Sequence, residues 1–156
     1  LNNVLEKDYQ LIWQTGKLDY KNILEETKDI NSRNLQVVEF IKNMEMAYSA
    51  ADVIVSRAGA IAISELAIAK KPVLLVPFPF AAEDHQTKNA QTLVEKNAAK
   101  MVKDTEMKEK FWNTLSEICE NEDLRTEMAQ NLEFFSKPKA TEEIVNEIFK
   151  NLNIKE

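Results

Sequence analysis

The chain has 156 residues, 44% of them hydrophobic and 29% charged, with a formal net charge of −6. That length predicts one domain or two very small ones, with enough chain to bury roughly two thirds of its unfolded surface. The acidic balance argues against a nucleic-acid-binding face, and no apolar run approaches the ~20 residues that span a bilayer.

LNNVLEKD (1–8) reads as the end of a helix and lacks the apolar stretch of a secretory leader. The chain has no initiator Met and starts in mid-pattern, which reads as a fragment. YQLIWQT (9–15) predicts a strand closed by Gly16, and a polar helix follows over 19–29. NLQVVEF (34–40) is a second strand. NMEMAYSAA (43–51) is a short helix with Met44, Ala47 and Tyr48 on one face. DVIVS (52–56) is apolar and β-branched, as expected of a strand covered on both faces. A helix over 60–69 leads to a fourth strand, PVLLVPF (72–78). Asp84 is placed to cap a helix running to about Asn97. AAKMV (98–102) is a short fifth strand.

From Thr105 onward the pattern is helical. Phe111, Leu115, Ile118, Leu124, Met128, Leu132 and Phe135 recur at helical spacing, as do Ile144, Ile148 and Leu152 after Pro138. Both stripes are expected to face the core. Cys119 is the only cysteine, which excludes an internal disulfide and suits a reducing cytoplasm. Its place beside Leu115 and Ile118 predicts a buried core thiol.

Alternating strands and helices predict an α/β fold: a Rossmann-like parallel sheet with helices on both faces and a helical C-terminal segment. Ligands of such sheets bind beyond the carboxyl ends of the strands. The loops to search are therefore 14–18, 39–44, 56–61 and 77–86.

SRAGAIAISELA (56–67) holds Gly59, one of only two glycines. Such a glycine serves a tight turn, or lets a ligand approach the backbone. The helix starting at Ala60 would present free N–H groups and the positive end of its dipole, which suits a phosphate or diphosphate. Glu65, one to two turns on, reads as a solvated helix residue or as an acceptor for two ribose hydroxyls. Arg57 reads equally as a surface charge or an anion partner.

In PFPFAAEDHQTKNA (77–90), Asp84, His85, Gln86 and Asn89 crowd a helix start. The amide of Gln86 offers the donor and acceptor that sugar hydroxyls need. His85, the only histidine, has no second His or Cys at metal-ligand spacing, so no metal is expected. There is no GxSxG elbow and no Walker-type loop. The residues alone thus point to a phosphate-linked, hydroxyl-rich ligand such as a nucleotide-sugar and leave the reaction unnamed.

Residues 51–99, ADVIVSRAGAIAISELAIAKKPVLLVPFPFAAEDHQTKNAQTLVEKNAA, resemble the carboxyl-terminal domain of the bacterial MurG family of peptidoglycan enzymes. IWQTGK (12–17) and EFIKNMEMAYSAAD (39–52) extend the likeness to roughly residues 1–150. The resemblance implies one half of a two-domain GT-B glycosyltransferase, with 1–156 as the donor-binding domain and 105–152 as its helical C-terminal part. It implies an inverting transfer of N-acetylglucosamine (GlcNAc) from UDP-GlcNAc to lipid I, giving lipid II, with no cofactor.

By that resemblance the backbone around Ile41 reads the uracil edge. Ala60, Ile61, Ala62, Ile63, Ser64 and Glu65 line the donor, with Arg57 and Gly59 alongside and Glu65 on the ribose. Gln86 meets GlcNAc hydroxyls with His85 beside it; members carry His-Gln or Gln-Gln there, so His85 need not carry a proton. Where the family often has Ser and Thr, this chain has Ala58 and Ala62, so those hydroxyls are lost and Ser64 remains.

The resemblance implies a GGS-type loop upstream of Leu1 and an acceptor domain that supplies the general base, lipid I binding and membrane contact. No catalytic residue is then expected in this chain. The whole enzyme would be cytoplasmic and peripheral on the inner face of the plasma membrane. Two rivals share the donor: the binding subunit of a two-chain UDP-GlcNAc transferase, and half of a UDP-GlcNAc 2-epimerase. A purely structural α/β module is the third.

Overall fold

The computed structural model describes residues 7, 9–30 and 33–152. The helix end expected over 1–8 lies outside them, Lys7 excepted. The chain divides into two compact units, Leu1–Ala47 and Tyr48–Glu156.

The first unit is a β-α-β arrangement. Strand β1 (Leu11–Gln14) pairs in parallel with β2 (Leu35–Val38), from Leu11 opposite Leu35 to Gln14 opposite Val38. Helix α1 (Gly16–Thr27) joins them and begins three residues before the expected start. Gly16 makes that early start possible. Its φ of +76° lets the chain turn straight from strand into helix, a conformation that L side chains rarely adopt. Its N–H donates to Glu39 O at 3.1 Å, and Thr15 N–H donates to Val38 O at 3.0 Å, so the β1 exit is tied to the β2 exit. The unit boundary falls within α2 (Met44–Ala50).

The second unit is built on three parallel strands in the order β3-β4-β5: β3 (Ile54–Ser56), β4 (Val73–Leu75) and β5 (Lys100–Met101). Helix α3 (Ala60–Ala69) follows β3 with the expected bounds, and α4 (His85–Val94) follows β4. Then come α5 (Met107–Glu120), α6 (Glu122–Leu132) and α7 (Ala140–Asn151). The alternation therefore gives parallel pairing as expected, but the strands hydrogen-bond as a pair and a triplet where one sheet was expected. The strands are shorter than their apolar runs; at β4 the buried run continues through Val76 and Pro77 after the strand ends at Leu75.

β4 explains why helices cover both faces. All three of its residues are buried. Val73 and Leu75 join a cluster with Leu66 of α3, Ala90 and Leu93 of α4, and Leu132 of α6. Leu74 points the other way, to Val102, Ile118 of α5 and Met128 of α6. The period of two along a strand distributes one apolar triplet between two cores. Phe111, Leu115 and Leu124 pack against the second cluster and Phe135 against the first, so that stripe faces inward as expected.

Four further expectations fail. β3 is not covered on both faces: none of its residues is buried and Val55 is 45% exposed, because among the described residues it is an edge strand, paired with β4 alone. Ile144, Ile148 and Leu152 are not core residues: they are 59%, 49% and 62% exposed, and no residue of α7 is buried. A helical stripe shows that a face is apolar and says nothing of what covers it. Cys119 is only half-buried, because a 100° step per residue carries it to the flank of the Ile118 face. Burial pushes its thiol up, against the opposing pull of Arg125. Asp84 does sit at the N-cap of α4, yet its backbone is left-handed (φ +57°) and its side chain makes no cap bond. A capping side chain normally needs an extended backbone.

Candidate functional site

Because β3, β4 and β5 run parallel, their carboxyl ends share one edge of the sheet. Arg57 ties all three together. Its guanidinium donates to Val76 O and Pro77 O, both at 3.2 Å, and to Asp104 Oδ1 at 2.8 Å, and it lies 5.5 Å from the Phe78 ring centroid. Arg57 is thus a strut between strand ends, with its charge balanced by Asp104.

Gln86 braces the same edge. Its Oε1 accepts from Ala58 N at 3.2 Å and from Phe78 N at 3.0 Å, linking the loops after β3 and β4. Two N–H donors on one atom identify it as the amide oxygen and leave the amide NH2 to face outward partners. Asn89, one turn further along α4, donates to Ala58 O at 3.1 Å. Ala58 is fully buried, and both its backbone groups are held by side chains of α4.

Those braces present the start of α3. Gly59 is its N-cap, with an ordinary extended backbone (φ −68°, ψ 148°) and no side chain to cap the helix. A Cβ placed there would meet nothing within 4 Å. Neither turn geometry nor crowding requires glycine at 59, in contrast with Gly16. The position is open, and it leads straight into the first-turn N–H groups of Ala60, Ile61 and Ala62, which have no acceptor within a helix. Ile61 is 78% exposed in that turn. Gly59→Ala is therefore expected to leave stability unchanged or raised by up to ~1 kcal/mol in a denaturant titration. The same change is expected to weaken a diphosphate ligand about tenfold, by interposing a methyl group.

Further along α3, Ser64 Oγ donates to Ala60 O at 3.0 Å, and half-buried Ile63 packs on the core. Glu65 is exposed, and its Oε2 accepts from the Tyr48 hydroxyl at 3.0 Å. Burial first, then the hydrogen bond and charge of Glu65, push Tyr48 from 10.0 up to about 12. The tyrosine stays protonated at neutral pH. Stability from this raised value is complete below pH 10 and is lost as pH rises through about 12.

His85 begins α4, its Nε2 3.6 Å from Glu83 Oε2, with both side chains exposed. Glu83 (φ +48°) and Asp84 (φ +57°) are consecutive left-handed residues, each costing on the order of 1 kcal/mol. Backbone strain therefore collects at the turn that delivers Gln86. Phe78 and Phe80 stack edge-on before it at 5.7 Å between centroids.

In the first unit, Ile41 N–H donates to Gln14 Oε1 at 2.8 Å. The backbone group expected to read a base thus already has a side-chain acceptor. Gln14, Tyr48 and Asn89 carry no role that is legible in the sequence. IWQTGK and DHQTKNA drew attention to the first and last, but their partners lie 27 and 31 residues away and leave no local signal.

Among the described residues no group of three His, Cys, Asp or Glu side chains gathers as a metal site, and no helix is long and apolar enough to cross a membrane.

Residues 2–144 match the family described as the glycosyltransferase family 28 C-terminal domain. The chain is 49% identical over 144 residues to the UDP-N-acetylglucosamine–N-acetylmuramyl-(pentapeptide) pyrophosphoryl-undecaprenol N-acetylglucosamine transferase of Cytophaga hutchinsonii, covering 92% of this chain and 38% of the relative. It is 44% identical to the transferase of the same name from Bacteroides fragilis, with the same coverage. Its fold is similar to the crystal structure of Acinetobacter baumannii MurG, with a TM-score of 0.78 and 36% identity, covering 90% of this chain and 43% of that one. The chain spans about two fifths of the length of these relatives. It belongs to the glycosyltransferase family 28 C-terminal domain family.

Proposed function

We propose that this chain is the donor-binding half of an inverting glycosyltransferase that moves GlcNAc from UDP-GlcNAc to lipid I, giving lipid II. The observation that carries this reading is the braced pair of loops at the carboxyl edge of β3 and β4. Gln86 holds them together while Gly59 leaves the α3 N-terminus open. The relatives' names, which are those of such a transferase, support it.

The chemistry distributes as follows. First-turn N–H groups of Ala60, Ile61 and Ala62 stabilise the leaving diphosphate through dipoles aligned in advance. Glu65 accepts from the ribose hydroxyls, and Ile63 and Ser64 complete that wall. The Gln86 amide NH2 donates to a GlcNAc hydroxyl, with exposed His85 beside it. The Ile41 backbone reads the uracil edge once Gln14 gives way. These contacts supply remote binding energy that positions the sugar. The general base, the lipid I site and a peripheral contact with the inner face of the plasma membrane belong to the remainder of the polypeptide. No step here uses a cofactor.

The complete polypeptide containing this chain, given UDP-GlcNAc and a lipid I analogue, is expected to release UDP and form the disaccharide product. Formation of UDP-N-acetylmannosamine alone would make it an epimerase instead. The 156-residue chain by itself is expected to bind UDP-GlcNAc weakly and not to turn over. Robust transfer by that chain alone would defeat the division of roles.

A further inference from the structure

Tyr48 and Glu65 lie on α2 and α3, the helices before and after β3, and meet through one hydrogen bond, hydroxyl to Oε2, at 3.0 Å. The tyrosine ring is half-buried and packs against the cluster containing Leu66, Val73 and Leu75. Its hydroxyl therefore projects from a fixed base. Glu65, by contrast, is exposed and has three side-chain torsions to order. A carboxylate offers about four lone-pair directions, of which the tyrosine takes one. Oε1 and the remaining directions stay open to a ligand.

We propose that Tyr48 is a positioning residue, which holds the Glu65 carboxylate ready to accept both ribose hydroxyls and so sets the preference for a ribonucleotide over a deoxynucleotide. This rests on the assignment of Glu65 to the ribose. The hydroxyl keeps its proton far above neutral pH, so it donates throughout the range in which a nucleotide-sugar would bind. Phenylalanine keeps the ring and its packing while deleting the one atom that touches Glu65.

The test is calorimetric titration of the complete polypeptide with UDP and with 2′,3′-dideoxy-UDP, in wild type, Tyr48→Phe, Glu65→Gln and the double variant. Tyr48→Phe is expected to weaken UDP about fivefold and to leave the dideoxy analogue within about twofold. The double variant is expected to bind UDP no worse than Glu65→Gln alone, because the tyrosine acts through the carboxylate. Equal weakening of both ligands by Tyr48→Phe would reduce the tyrosine to packing and overturn the proposal. So would an unchanged preference in Tyr48→Phe while Glu65→Gln abolishes it; the ribose assignment would then survive. If Glu65→Gln itself leaves the preference intact, the ribose assignment fails and takes the positioning role with it.

Discussion

Gln86→Leu is expected to destabilise the second unit by about 2–3 kcal/mol, read as a lower urea midpoint, and to remove UDP-GlcNAc binding by the complete polypeptide. The volume is nearly conserved, so the loss is one of polar partners. Ala58 is fully buried, and its N–H would face leucine methyls in place of Oε1. An unpaired buried donor costs about 1–3 kcal/mol. The Phe78 N–H, nearer solvent, would add less. With both bonds gone, the loops after β3 and β4 lose their tie, and the strained turn at Glu83 and Asp84 loses an anchor. Gln86→Glu separates the two duties. It retains an oxygen for both N–H groups, so stability should return, but it removes the outward NH2, so binding should not. A leucine variant as stable as wild type would show that the brace contributes nothing.

Glu65→Ala is the second large effect, and here affinity changes without stability. The carboxylate is exposed, and its loss frees the Tyr48 hydroxyl to bond with water, so unfolding should shift by less than about 1 kcal/mol. Hydrogen bonds to a charged group contribute about 1.5–3 kcal/mol, which predicts a 10- to 150-fold loss of UDP-GlcNAc affinity by calorimetry. Unchanged affinity would remove Glu65 from the ribose. Glu65→Ala and Gln86→Leu thus fail in different ways: the first loses a ligand contact alone, the second a scaffold bond as well.

Much of the fold was legible because its signals are local. The apolar triplet of β4, the alanine-rich run of α3 with its matching bounds, and the inward residues of α5 (Ile118) and α6 (Met128 and Leu132) each follow from spacing and burial within one element. Ile144 and Ile148 carried the same signal and misled, since amphipathicity states a need for cover without supplying it. Asp84 had the residue type of a cap but not the backbone, which the turn from Ala81 dictates through the bond from Asp84 N–H to Ala81 O.

The site was legible as a set of loops and only partly as a set of roles. The sequence leaves Gly59 open between a tight turn and a close approach to the backbone; its φ is ordinary and a Cβ there would meet nothing within 4 Å, so the turn does not need it. Arg57 stood evenly between surface charge and anion partner; two carbonyls and Asp104 show it to be a strut. The sequence suits Gln86 to sugar hydroxyls, but its oxygen serves Ala58 and Phe78 first.

By itself, then, the sequence determined the parallel α/β alternation, the loops that gather at the strand ends, and a family likeness strong enough to give candidate residues. Those depend on periodicity and on motifs a few residues long. The tertiary structure decided which atoms of those residues are free. Gln14 with Ile41, Tyr48 with Glu65 and Gln86 with Ala58 are pairs 27, 17 and 28 residues apart. Hydrogen bonds of that range depend on directions set only once the strands are paired and the helices packed.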